Sequence, residues 1–264
     1  MTSSIKVIIK TWIRHLGYEI TIRPVTRIKS KHTCHKPIKV EFLGPSGVGK
    51  STLYREVKKT RRTKDLWVPF SSFPIQTDGL ELKSENFPEP HQALLEKKLN
   101  AIAQQRDYPI ITKLRLVFFF VKNIKKDILL SNVNKENIVL WDDGPIHNFS
   151  SQIVGLADEN PKHFKDLIKN TAFVFCSCSA SGLVQNVYSR ENEFGKTRPQ
   201  HRNKSYDTLL RAAEKNLENK RAFFDLLKKH QASYIEINTE ESLQDNAQKV
   251  RLFVNGLKGS IDKQ

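Results

Sequence analysis

The chain has 264 residues, enough for one α/β domain with an appendage and a core that needs no disulfides. Lysine and arginine total 44 against 28 acidic residues, a formal net charge of +16, which draws such a chain to phosphates, anionic lipid or nucleic acid. Three cysteines argue against a disulfide scaffold, and the pattern predicts neither a secretory signal nor a membrane span: Lys6, Lys10 and Arg14 interrupt the first apolar residues, and the run Leu114–Val121 is short and holds Arg115.

The first 37 residues read as a separate segment. Ile5, Ile8, Ile9, Trp12, Ile13 and Leu16 repeat at helical spacing, with Lys6, Lys10 and Arg14 off the stripe and Gly17 placed to end the helix. Tyr18, Ile20 and Ile22 then alternate with Glu19, Thr21 and Arg23, and a basic linker carries Arg27, Lys29, Lys31 and Lys36. Two readings fit this stripe. One is an amphipathic anchor, residues 1–17, on an anionic membrane surface; the other is a helix docked on the protein's own core. His32, Cys34 and His35 lie close together, but no fourth ligand follows at finger-like spacing, so they read as part of the linker.

From residue 38 to 264 the pattern is that of one α/β domain. The β-prone runs are Ile38–Leu43, Asn137–Trp141, Thr171–Ser177 and Ala232–Asn238. Helical stretches are predicted over His91–Arg106, Ile110–Leu130, Ser181–Tyr188, Tyr206–His230 and Glu241–Leu257. This alternation implies a parallel sheet with helices on both faces, a three-layer α/β fold. Leu66–Phe70 is weakly strand-like, but Pro69 and Pro74 favour a loop. The triple Phe118-Phe119-Phe120 predicts a buried helix. Cys176 and Cys178 are at strand spacing and read as core thiols on one face, in a reducing compartment.

The most informative stretch is Gly44-Pro45-Ser46-Gly47-Val48-Gly49-Lys50-Ser51, followed by Thr52 and a helical run to Val57. The pattern G-x-x-x-x-G-K-S between strand and helix lets successive backbone N–H groups turn inward around a phosphate. Lys50 reaches the β- and γ-phosphates, and Ser51 offers a hydroxyl to Mg²⁺. The second stretch is Ile138-Val139-Leu140-Trp141-Asp142-Asp143-Gly144-Pro145, a buried strand delivering acid at its C-terminal end. Asp142 is the expected Mg²⁺ partner. Asp143 is either a base for an acceptor hydroxyl or a helix cap, with Pro145 in the first turn. The third is the basic run from Tyr188 to Pro199, extended by His201, Arg202 and Lys204. Its glycine and proline predict a loop, and its cations suit a lid over a transferring phosphate, with Arg190 and then Arg198 as charge caps.

These three features, in this order, resemble the thymidylate-kinase-like branch of the nucleoside and nucleotide kinase superfamily, over about residues 38–257. The resemblance implies the P-loop NTPase fold, ATP and Mg²⁺ as cofactors, and a final strand and loop in which Asn238 and Thr239 line the adenine site. It stops at the acceptor motifs. Thymidylate kinases carry Asp-Arg-Tyr where this chain has Asp142-Asp143-Gly144, and their Arg-Glu-Pro motif does not occur here. The Asp-acid-Gly version is similar to relatives found with bacterial surface-polysaccharide genes, and His15-Leu16-Gly17-Tyr18-Glu19-Ile20 is similar to leaders of some enzymes of that pathway. A GTPase reading fails because Asn134-Lys135-Glu136-Asn137 lacks the final Asp and precedes the acidic strand.

The expectation is an ATP- and Mg²⁺-dependent phosphotransferase on a small-molecule or lipid-linked acceptor of nucleotide, sugar or glycolipid type. It would be cytoplasmic, or peripheral at the inner face of a membrane. The rivals are a membrane-associated nucleotide-binding regulator with slow hydrolysis and a nucleic-acid-binding NTPase. Only charge favours the last, and no base-stacking or repeat motif accompanies it.

Overall fold

Alternating side chains along Ile38–Leu43 set the architecture. This strand, β1, sends Val40 and Phe42 to one face and Lys39, Glu41 and Leu43 to the other, and Val40 to Leu43 are all buried. The computed structural model describes residues 36–72, 87–132, 137–194 (backbone alone for 190–194) and 204–257. The amphipathic helix, the basic linker and the His32, Cys34 and His35 group fall outside those residues.

After β1 come α1 (Lys50–Lys59), β2 (Trp67–Pro69) and a 3-10 turn (Phe70–Ser72). Then follow α2 (Glu89–Ala103), α3 (Ile110–Ser131) and β3 (Ile138–Trp141). Three helices, α4 (Pro145–Asn148), α5 (Ser150–Glu159) and α6 (Pro161–Ile168), lead to β4 (Thr171–Ser177). The chain continues through α7 (Ala180–Phe194), α8 (Tyr206–Lys229), β5 (Ser233–Asn238) and α9 (Leu243–Gly256). Local sequence explains several starts. Asn160, Ser205 and Ser242 each accept a backbone N–H of the turn that follows, and so cap α6, α8 and α9.

The five strands form one parallel sheet in the order β2-β3-β1-β4-β5. One face carries Val40, Phe42, Ile138, Leu140, Ala172, Val174 and Ile237, covered by α1 and α9 through Leu53, Val57, Val250 and Val254. The other carries Leu43, Phe173 and Phe175, covered by α2 to α6 and α8. This is a three-layer α/β arrangement, as the alternation of elements predicts. Its ligand edge is the C-terminal end of the strands, where the connections leaving the neighbours β1 and β4 run to opposite sides of the sheet.

Four expectations change. Trp67–Pro69 is a strand and not a loop. It lies at the edge of the sheet, where a proline is tolerated, and Trp67 is fully buried. The helix around the triple phenylalanine exists but is not buried throughout: Phe118 is 57% exposed and Phe119 42%, while Phe120 faces the core. One stripe of α3 suffices to pack, and the first half of its other face meets water. The helix after β4 continues to Phe194, so Tyr188–Phe194 is helical. Between β3 and β4 the sequence pattern announces only a helical turn at Pro145; α5 and α6 are additional. Cys176 is buried in the core and Cys178 packs against the same cluster, as their spacing predicts. Among the described residues, no helix is long and apolar enough to cross a membrane.

Candidate active site

The loop from Gly44 to Ser51 connects β1 to α1 at the ligand edge. Gly44, Gly47 and Gly49 have φ of 136°, 95° and 98°, so all three take conformations that side chains rarely adopt. At Gly44 a Cβ would also overlap the carbonyl oxygen of Cys176, so the loop rests directly on β4. Gly49 is the N-cap of α1 and accepts the backbone N–H groups of Thr52 and Leu53. Lys50 Nζ donates to the carbonyls of Gly44 (3.0 Å) and Pro45 (2.8 Å), which holds the ammonium along the loop. From α7, Asn186 Nδ2 donates to the carbonyl of Gly47 at 3.0 Å. Val48 is buried and anchors the loop in the core.

Asp142 and Asp143 follow β3, the neighbour of β1. The Ser51 hydroxyl lies close enough to Asp142 to favour its ionised form, and one carboxylate oxygen of Asp142, Oδ1, is buried without a partner among the described residues. Burial and the adjacent Asp143 raise the Asp142 pKa, against the lowering pull of Ser51, Lys50 and Arg55. Asp143 points outward, with Oδ1 3.8 Å from His147 Nε2. It is not the cap of α4. Gly144 holds that position, and no side chain caps the helix. Pro145 opens α4 as expected.

Gly144 has an ordinary extended backbone, and the reason for a glycine there is space. A Cβ would overlap the carboxylate of Glu41, which reaches from β1 beneath the acidic turn. Glu41 is fully buried and accepts the backbone N–H of His147 at 3.2 Å. Burial pushes its carboxyl up to about 8, although Lys39 and the α4 backbone pull the other way. His147 is held well below the ordinary imidazole range by burial, then by Lys50 and Lys220. It is therefore neutral at pH 7.

At the far side of the loop, Thr239 follows β5. Its side chain lies 3.6 Å from where a Cβ on Gly49 would stand, and its N–H and hydroxyl both donate to the carbonyl of Ser177. Asn238 is fixed beside it: its Oδ1 accepts the N–H of Glu240, and its carbonyl accepts Asn246 Nδ2. The fold thus brings the loop, Ser51, Thr52, Asp142, Asp143, Asn238 and Thr239 to one edge. Arg190 lies in α7, four residues after Asn186. Arg198 lies outside the described residues. The neighbours of this edge that sequence reasoning missed are Glu41, His147 and Lys220. None belongs to a motif, and only the order of the strands and the packing of the helices brings them here.

Among the described residues, no three His, Cys, Asp or Glu side chains are grouped to hold a metal unaided. Mg²⁺ needs no such cage when substrate phosphates supply most of its ligands. The hydroxyl–carboxylate pair of Ser51 and Asp142, with the orphaned Oδ1, suits that mode. A separate cleft lined by Lys39, His91, Asp127 and Asp166 lies at the opposite, N-terminal edge of the strands. There Asp127 bridges Lys39 (2.7 Å) and His91 (2.8 Å), tying β1 to α2 and α3.

No family model and no curated protein sequence matches the chain. Solved structures of deoxyadenosine kinase from M. mycoides resemble it in backbone. The form with bound dCTP is 12% identical with a TM-score of 0.44, covering 83% of this chain and 99% of that one. The form with the products dCMP and dCDP is 14% identical with a TM-score of 0.45, over 83% and 99%. The form with bound dATP is 14% identical with a TM-score of 0.41, over 82% and 99%. So loose a likeness assigns no activity, and the chemistry has to be argued from the residues of this site.

Proposed function

We propose that the chain is an ATP- and Mg²⁺-dependent phosphotransferase acting on a small-molecule acceptor. The observation that carries this reading is the pairing of Ser51 with Asp142 at the foot of a loop whose three glycines all adopt left-handed φ. A loop in that shape, opening a ten-residue helix, turns backbone N–H groups toward an anion. The amides from Gly44 to Thr52 would cradle the β- and γ-phosphates, and Lys50 would leave its carbonyl partners for them. Ser51 and Asp142 would hold Mg²⁺, which when bound neutralises charge on the phosphates.

Asp143 is the half-exposed carboxylate nearest the acceptor side and takes the role of base for an acceptor hydroxyl. Arg190, with Arg198, would cap the transferring group. Asn238 and Thr239 would border the adenine. The acceptor site lies between α2, α4, α5 and α8, beyond Asp143. A protein of this kind works in the cytoplasm, and the leader, residues 1–17, would hold it at the inner face of a membrane if the acceptor is lipid-linked.

Lys50→Ala tests the proposal. The lost charge acts where transition-state charge gathers, so acceptor-dependent ATP consumption should fall at least about a hundredfold with the melting temperature kept. The assay screens nucleosides, nucleotides, sugars and lipid-linked sugars. Unchanged turnover in a folded Lys50→Ala protein sinks the kinase reading. ATP hydrolysis that no acceptor stimulates favours a regulator instead.

A further inference from the structure

Two lysines meet beside the acidic turn without an acid of their own. Lys98, from α2, donates to the carbonyl of Asn148 (3.2 Å) and to Gln152 Oε1 (3.3 Å). Its ammonium lies 4.3 Å from the centre of the Phe120 ring and 5.8 Å from that of Phe149. Lys220, from α8, donates to Ser150 Oγ at 2.6 Å. Two elements remote in sequence therefore send cations to one five-residue stretch, the junction of α4 and α5. Both lysines are half-buried, and among the described residues neither has a carboxylate within ion-pair distance.

Partial burial of two like charges without a counter-charge is costly. The cost shows in their basicity. Burial, then the neighbouring Lys50 and Lys98, brings Lys220 down to about 8, and burial lowers Lys98 as well. Each ammonium carries three N–H donors, so Lys98 retains one and Lys220 two beyond these bonds. Ser150 accepts from Lys220 and keeps its own O–H to donate. Ser150 also begins α5, where the first-turn N–H groups have no acceptor within the helix. The unused hydrogen-bonding capacity of both ammoniums and of the first turn of α5 is donor capacity. The pair lies just after Asp142-Asp143-Gly144, with Lys50 close enough to Lys220 to depress its proton affinity.

The geometry points to an anion subsite built by Lys98, Lys220 and Ser150 that holds a phosphomonoester group carried by the acceptor. Two cations match a dianion, and the donors converge from three elements, as a tetrahedral group requires. The subsite rests on the kinase reading only for its placement on the acceptor, since its donors would hold a phosphate whether or not transfer occurs.

The test uses the full chain with Mg·ADP at saturation, so that the glycine loop is filled, and inorganic phosphate as the calorimetric probe. Phosphate should bind saturably. Lys98→Gln and Lys220→Gln should each weaken it about tenfold or more, with Mg·ADP affinity kept. A second arm needs no variant: wild-type affinity for phosphate should fall between about pH 7.5 and about pH 9.5, as Lys220 loses its proton. Absent binding, equal binding in wild type and both variants, or affinity flat across that range overturns the subsite. Activity separates it from the reading beneath it. Turnover confined to uncharged acceptors overturns the subsite and leaves the kinase. Phosphate binding without ATP consumption on any acceptor overturns the kinase and leaves the subsite.

Discussion

Asp142 and Asp143 are neighbours in sequence with different surroundings. Asp142 lies beside Ser51 and keeps one oxygen buried, whereas Asp143 is exposed and near His147. Asp142→Asn should therefore raise the Mg²⁺ requirement or abolish turnover. Asp143→Asn should lower turnover with nucleotide affinity nearly kept, and a magnesium titration of ATP consumption distinguishes the two. If Asp143→Asn changes nothing but the melting temperature, Asp143 is no base. Glu41 makes a separate prediction about stability. Its folded-state pKa of about 8 exceeds the ordinary 4.5, so folding takes up a proton between those values. The contribution is complete at the acid end and is lost as pH rises toward 8. Asp127 has the opposite sign. Burial alone would raise it, but Lys39 and His91 draw it down to about 2, so its contribution is lost only in acid. Urea midpoints from about pH 5 to about pH 8 should decline, and Glu41→Gln, which cannot ionise, should flatten the decline. An identical slope in the variant removes Glu41 as the cause. The glycine loop was legible from sequence because its chemistry is consecutive. Glu41, His147, Lys98 and Lys220 were not, since each acquires its role from a neighbour on another element.

Elements were legible where their period was long. The α3, α8 and α9 helices and β1, β3, β4 and β5 follow their apolar spacing closely, and α1 follows from the glycine loop before it. The segment between β3 and β4 resisted because it is cut into helices of four, ten and eight residues, with Asn160-Pro161 dividing the last two. None offers a window wide enough for a helical period to emerge. The edge strand β2 was masked by Pro69. Gly195 and Pro199 mark the basic run after Tyr188 as a loop by composition, yet both follow Phe194, and the helix continues that far. The lid role is thereby narrowed. Arg190 rides on a helix that already clamps Gly47 through Asn186, so its position is coupled to the glycine loop. Arg190→Ala should lower turnover by on the order of 10³ while ATP affinity changes little, because a charge cap binds the transition state more strongly than the ground state. Single-turnover rates beside calorimetric ATP binding measure both. Near-normal rates would leave α7 as a structural clamp alone.

At the scale of the whole molecule, the three-layer fold follows from the alternation of strands and helices, while the role of the leader does not. If Ile5–Leu16 is an interfacial helix, its stripe enters the headgroup boundary and Lys6, Lys10 and Arg14 face anionic lipid. Each cation then contributes about 1 kcal/mol near the surface, less as salt rises. The full chain should co-sediment with anionic vesicles more than with neutral ones, and high salt should weaken it. Deleting residues 1–17 should abolish binding and keep the thermal melt. A leader docked on the core predicts no vesicle binding and a destabilised truncation.

The register of β1 also constrains how the chain reaches this shape. Ile38 pairs with Ile138, and Lys39 with Thr171, so neither edge of this central strand is satisfied by anything local. During synthesis, β1 emerges long before either partner. Every ladder in the sheet is parallel, and none can begin as a hairpin. The cost of closing such long loops must be met before any strand pairing returns free energy, which makes folding slow for the chain's size. A fragment ending ahead of Thr171 would keep one side of β1 open to other chains, and such fragments should aggregate where the full chain does not.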